Sequence, residues 1–381
     1  MTDLGVYLDY NAAAPVRPAV AAAVNQALAA TGNPSSVHRF GTLARRRVED
    51  ARERIADLVG GAPQGVIFTS GGTEANNLAL GGGPWRSLVV SAIEHDSVQA
   101  AADRSDVDAV RIPVDGEGVV DLDALRRILA GAARPALVSV MLVNNETGVV
   151  QPLAAVAEVA REFGASVHCD AVQAVGRLPI DMADLGADLL TLSAHKIGGP
   201  QGSGALVVGD AVEISARIVG GAQELRRRAG TENTIGIAGF AAALDCVSDD
   251  LAKATQWRGL RDRVEARLLS HPEVAILGAG ADRVANTICV AMFGVTSETQ
   301  VIALDLDGVA VSAGAACSSG KVGPSHVLAA MGVDRALVDC AIRVSFGWQT
   351  KESDLERFFE SWRSLYRRTR GTDSNVRRPA A

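Results

Sequence analysis

Aromatic side chains are scarce in this chain, at 4% of 381 residues, and long apolar runs are missing. No stretch approaches the roughly eighteen apolar residues that a membrane helix needs. The N-terminal MTDLGVYLDY has no basic segment followed by an apolar one and does not read as a secretory leader. The expectation is a soluble protein of the cytoplasm with no membrane association. Cysteine is sparse too. Cys169, Cys246, Cys289, Cys317 and Cys340 are odd in number, widely spaced and never in a C-x-x-C pair, which argues against a disulfide framework and a zinc site. Basic excess is also lacking: a net charge of −7 and a pI near 5.5 argue against a general grip on nucleic acid. The local exception is YRRTRGTDSNVRRPAA at the C-terminus, read as a solvated tail or, less ordinarily, as a patch for docking a partner.

What remains is the balance of a folded globular protein, 48% hydrophobic and 21% charged. The length exceeds what one core usually covers, so two domains are expected. Short apolar runs at 66–68, 87–93, 136–143, 166–171, 189–194 and 205–208 alternate with helical patterns. Strands so continuously apolar are buried on both faces, as in a parallel sheet between helices. The stripe Phe40, Leu43, Ala44, Val48, Ala51, Ile55, Leu58 and Val59 has helical spacing with one core-facing side. This predicts an α/β domain over 15–245. Residues 1–14 with 246–381 are expected to form a smaller α+β domain, with strands at VAILG, NTICVAMFG and AIRVSFG and a closing helix over 352–368.

In open α/β sheets ligands lie at the carboxyl ends of strands, so polar residues ending apolar runs are the candidates. FTSGGTEANNLAL (68–80) runs from a strand through glycines into a helix opened by Thr73. Free N–H groups there make an anion seat, although an ordinary capped helix looks similar. In SVHCDAVQA, Asp170 ends a strand. A carboxylate there wants a cationic partner, either a protonated ring nitrogen of a cofactor or simply an arginine. LLTLSAHKIGGPQGSG places Ser193, His195 and Lys196 together, and an amine held in an apolar place is suited to bonding an aldehyde. His95 ends SAIEH, able to stack on a flat ring or pass protons, or to be an ordinary packed histidine. Cys317 sits in VSAGAACSSGKVGPSHVL among small residues, which favours a nucleophilic or carrier thiol over a structural one.

Together these segments resemble the cysteine desulfurases of the nitrogen-fixation and iron–sulfur-cluster branch, within the class V aminotransferases of fold-type I pyridoxal-phosphate proteins. The matching motifs are LDYNAAAP (8–15), GNPSSVHRFG (32–41), TSGGTEANN (69–77), EHDSV (94–98), VNNETGVVQP (143–152), HCDAVQ (168–173), SAHKIGGPQGSGAL (193–206), RAGTEN (228–233), ACSSGKVGPSHVL (316–328) and IRVSFG (342–347). The resemblance implies a large domain with a mainly parallel seven-stranded sheet between helices, plus the smaller domain carrying a catalytic cysteine loop at about 312–326. It implies pyridoxal 5'-phosphate on Lys196, with Asp170 against the pyridine nitrogen and His95 over the ring. Asn145 and Gln173 would address the ring's oxygen side. Gly72, Thr73, Ser193, His195 and, across a homodimer interface, Thr231 would hold the phosphate. Arg343 and Asn33 would bind the carboxylate of L-cysteine. Cys317 would carry the sulfur as a persulfide to an acceptor or Fe–S scaffold protein. No resident metal is implied, although Cys317 has the chemistry to ligate a nascent cluster transiently. A selenocysteine lyase, another class V transferase, or a nonenzymatic scaffold with a vestigial site are the rival readings. GGAQELRRRAGTEN departs from the pattern at Leu225 and Arg226, where relatives commonly carry Arg or Gly followed by Gly.

Overall fold

The structure, a computed structural model, describes residues 5–314 and 324–372. The chain opens with strand β1 (Val6–Tyr7) and helices α1 (Pro18–Leu28) and α2 (Arg39–Val59). A central sheet follows, made of β2 (Val66–Thr69), β3 (Ser87–Ser91), β4 (Asp108–Ile112), β5 (Ala136–Met141), β6 (Ser166–Asp170), β7 (Leu189–Ser193) and β8 (Gly204–Val208). Its order is β2-β8-β7-β6-β5-β3-β4. Only β8 runs against its neighbours; the other pairings are parallel, as expected for a mainly parallel sheet. The sheet is covered on both sides. Leu88 and Val90 of β3 pack into one core and Val89 between them into the other, the period-two alternation of a strand. Each such side chain contributes about 1.5–3 kcal/mol when fully buried.

Two expectations need amendment. β4 escaped the sequence reading because it is an edge strand whose Asp108 and Val110 face solvent, so DAVRI is neither continuously apolar nor cleanly alternating. In α2 Ala44, Val48, Ala51, Ile55 and Val59 are buried as predicted and Leu58 is half-buried, but Phe40 is 60% and Leu43 48% exposed. Arg52 lies on the buried side instead, because its guanidinium meets the buried Glu224 at 2.9 Å.

The remaining strands are β9 (Val274–Ile276), β10 (Thr287–Met292), β11 (Val309–Ala310), β12 (Ser312–Ala313) and β13 (Ala341–Ser345). Four of them form an antiparallel sheet of order β12-β13-β10-β9, while β1 pairs in parallel with β11. The last helix spans Glu352–Thr372, four residues beyond the expected end. It lays Leu355, Phe358, Phe359, Trp362 and Leu365 on a core that also takes Leu8, Ile288 and Val344. No helix among the described residues is long and apolar enough to cross a membrane.

Candidate active site

The strand directions bring the carboxyl ends of β2, β3, β5, β6 and β7 to one edge of the sheet. Around that edge lies a cleft of about 470 Å³. The ring-side candidates His95, Asn145, Asp170 and Gln173 line it, and so do the phosphate-side candidates Gly72, Thr73, Ser193 and His195, with Lys196 among them. Asp170 and Ser193 are the last residues of β6 and β7. Lys196 stands in the single turn (Ala194–Lys196) that follows β7, half-buried. Its Nζ donates to the carbonyls of Asn11 at 2.6 Å and Ala12 at 2.8 Å, so the N-terminal segment supplies its resting partners.

Helix α3 (Gly72–Gly82) begins where β2 ends, with its first N–H groups at the cleft. The approach depends on glycine. Gly71 has φ 154°, and a Cβ at Gly204 would sit 2.6 Å from the Gly71 backbone, so β8 and the turn touch main chain to main chain. Beside this turn the Ser193 hydroxyl and His195 Nδ1 are 2.8 Å apart. Burial pushes the His195 imidazole down to about 4, leaving it neutral.

Asp170 is 5% exposed yet makes no ion pair among the described residues. Its Oδ2 accepts from Asn76 Nδ2 at 2.8 Å and its Oδ1 from the Val172 N–H at 3.0 Å. Asn76 also donates to Ser97 Oγ at 2.8 Å, and Ser97 reaches His95 Nδ1. Helix α4 (Asp96–Asp103) starts here, with His95 as its N-cap. Beneath lies the fully buried Glu94, its carboxyl raised well above the ordinary range by burial and then by the Asp170 charge. Its Oε1 accepts from the Met141 N–H at 2.6 Å. Asn11, Asn76, Glu94 and Ser97 all fall inside quoted motifs, yet the sequence offered no role for them. Asn76 shares a helix with Thr73, one turn on, and that spacing was the available signal.

Three expected residues stand apart from the cleft wall. Asn33 is exposed, its Oδ1 accepting from the Ser35 N–H at 2.9 Å. Thr231 is exposed as well. Arg343 is 1% exposed and binds Asp9 at 2.7 Å and the Asn145 carbonyl at 3.1 Å, which sets it immediately behind the ring-side residues. Cys317 lies outside the described residues. On either side of that stretch, Ser325 donates to the buried Glu146 at 2.6 Å, and Gly314 lies close enough that a Cβ on it would come to 2.6 Å from the same oxygen.

Comparison with known proteins gives this geometry a context. The aminotransferase class-V family model matches residues 6–358. The cysteine desulfurase IscS of Dictyoglomus turgidum is 38% identical over 94% of this chain and 96% of its own. A cysteine desulfurase of Cereibacter sphaeroides is 42% identical over 93% of this chain and 94% of its own. The X-ray structure of a NifS-like protein from Rickettsia africae superposes with a TM-score of 0.87 at 33% identity, covering 95% of this chain and 99% of that one. With the strand-end lysine, the buried aspartate and the glycine turn all in one cleft, these full-length likenesses assign the chain to the class-V aminotransferase family, among its cysteine desulfurases.

Proposed function

We propose that this protein removes sulfur from free L-cysteine with pyridoxal phosphate, giving L-alanine and a persulfide on Cys317. The observation that carries the reading is the cleft itself, where a half-buried amine, a buried carboxylate with no arginine partner among the described residues, and the amino end of a helix converge. The fit can be judged from the donor set. Each Asp170 oxygen accepts from one donor among the described residues and has capacity for another, so the carboxylate is able to receive a ring N–H. Gly72 keeps the helix start open, since a Cβ there would come to 3.0 Å from Val172. The volume of about 470 Å³ falls within the usual range for a small ligand.

When bound, pyridoxal phosphate supplies an aldehyde for attachment and an electron-withdrawing ring that eases loss of the proton next to the substrate's amino group. Lys196 would provide the anchoring amine and a base for the Cα proton. Asp170 would hold the ring nitrogen in its protonated form, and His95 would pack against the ring. The N–H groups at Gly72 and Thr73, with Ser193 and His195, take the phosphate. Arg343 addresses the substrate carboxylate through the two-pronged guanidinium geometry, Asn33 assisting. The Cys317 thiolate attacks the substrate sulfur. An S–S bond forms as the Cβ–S bond breaks, the electron pair staying with carbon. Net, cysteine and one thiol become alanine and one persulfide, with no external oxidant or reductant.

The sulfur then passes to an acceptor or Fe–S scaffold protein in the cytoplasm. Thr231 would complete the phosphate site of a second copy, a homodimer supported by its exposure and by exposed apolar Val37, Phe40, Val219 and Leu225. The two-domain division, 15–245 against 1–14 with 246–381, is supported by one core drawn wholly from the smaller part, while Val247 and Val284 join the large core and Ile93 packs with Leu277 and Met331 where the two parts meet. The test uses two variants. Lys196→Ala should lose both the visible absorbance of bound cofactor and alanine formation; retention of the absorbance refutes the anchoring role. Cys317→Ala should keep the absorbance and lose sulfide release in the presence of a thiol reductant; wild-type release refutes the persulfide step.

A further inference from the structure

Four side chains run in one line through the floor of the cleft: Asp170, Asn76, Ser97 and His95. Asp170 as a carboxylate only accepts, so the Asn76 amide must turn its nitrogen toward it, as it does at 2.8 Å. The other hydrogen of that nitrogen goes to Ser97 Oγ, also at 2.8 Å. With its oxygen accepting, the Ser97 hydroxyl is left to donate onward, and His95 Nδ1 lies 2.8 Å away. A second contact fixes the sense independently. The Ser97 backbone N–H, which can only donate, points at the same Nδ1 from 3.1 Å. Nδ1 is therefore a lone pair, and the proton of the neutral imidazole sits on Nε2.

We infer that Asn76 and Ser97 are positioning residues that hold His95 in its Nε2–H tautomer and join it to Asp170 through one directed chain of hydrogen bonds. The inference rests on the cofactor reading of the cleft. It assigns His95 a direction. A second proton would land on Nδ1 and break both Ser97 contacts, so His95 stays neutral and offers its Nε2–H as a hydrogen-bond donor, leaving the taking of a proton to Lys196. The groups facing the imidazole agree. Burial is the main influence and favours the neutral ring; Asp170 and Asp96 work against it, Lys196 and His326 with it, and the balance holds the imidazole below its ordinary range. Asn76 itself is 1% exposed and its Oδ1 has no partner among the described residues, so nothing else there dictates the amide's orientation.

The experiment is NMR of ¹⁵N-histidine-labelled holoprotein, with the six histidines resolved by a His95→Gln control. The expected result is an unprotonated Nδ1 and a protonated Nε2 on His95. In Asn76→Ala and Ser97→Ala, the fraction with a proton on Nδ1 should rise, and the pH titration of the cofactor's visible band should shift. In both variants kcat should fall about tenfold with KM within about twofold, and Ser97→Thr should restore the wild-type values. A wild-type His95 protonated on Nδ1 overturns the inference. So do variants that fold, bind cofactor and leave both tautomer and titration unchanged. Failure of the underlying reading looks different: wild-type protein would then take up no cofactor at all.

Discussion

Glu224 and Asp170 are each 5% exposed, and the structure treats them in opposite ways. Glu224 has its charge met. Arg52 grips both its oxygens, at 2.9 and 3.2 Å, and the Phe68 N–H adds a third bond at 3.0 Å. Arg52 is itself backed by the Val66 carbonyl and the Phe68 ring. Asp170 has an amide and one backbone N–H, no cation among the described residues, and an open cleft beside it. Burying a carboxylate is costly unless a positive charge meets it. At Glu224 the chain provides that charge; at Asp170 the proposed cofactor would bring it. On that proposal the difference separates a carboxylate that holds the fold together from one kept for chemistry, a distinction residue type alone does not make.

The largest effect should come from Asp170→Asn. Alanine formation is expected to fall by at least about 10²-fold. Unfolding in denaturant should show stability unchanged or raised, because an unpaired buried charge has been removed. Loss of stability instead would break the comparison. Glu224→Gln should do the reverse: roughly 3 kcal/mol of stability is lost as the buried Arg52 is left uncompensated, while the bound-cofactor absorbance persists.

His168 offers a third case on the same strand as Asp170, a buried polar group satisfied on both sides by Ser139 at 2.8 Å and Thr191 at 3.0 Å. Burial pushes it down to about 4, from an ordinary value near 6.5. The folded state thus binds its proton less readily than the unfolded chain. Its contribution is whole above about pH 6.5 and is lost as pH falls toward 4, amounting to roughly 3 kcal/mol. Melting temperature against pH should be flatter over that window in His168→Gln. The smallest effect concerns the backbone next to Glu224. Glu224, Leu225 and Arg226 have φ of 44°, 55° and 66°, a left-handed run that side chains resist. Leu225→Gly should relieve strain and stabilise by about 1 kcal/mol in the same denaturation assay, an increment well below the Glu224→Gln loss.

Much of this was legible in the sequence. Strands buried on both faces announce themselves as unbroken apolar runs, and the polar residues ending them mark the cleft, which is why Lys196, Asp170 and His95 were found before any fold. Edge strand β4 was not legible, because a half-wet strand lacks that signature. Nor was the choice between a cofactor and an arginine for Asp170, since sequence does not say which cation stands nearby. The chain from Asp170 to His95 was hidden for another reason. Asn76 and Ser97 come from different helices and meet only when α3 and α4 pack side by side.

The seat of the Lys196 amine has a bearing on how the protein is made. Its two carbonyl partners belong to Asn11 and Ala12, and Asn11 is in turn fastened to Ser345, 334 positions later. At about 5–20 residues per second, the head of the nascent chain waits on the order of tens of seconds for the partners that tie it down. Until β13 has left the ribosome, the amine's cradle is missing one wall. Capture of the proposed cofactor would thereby fall to the finished polypeptide, once Ser345 has fastened Asn11 in place.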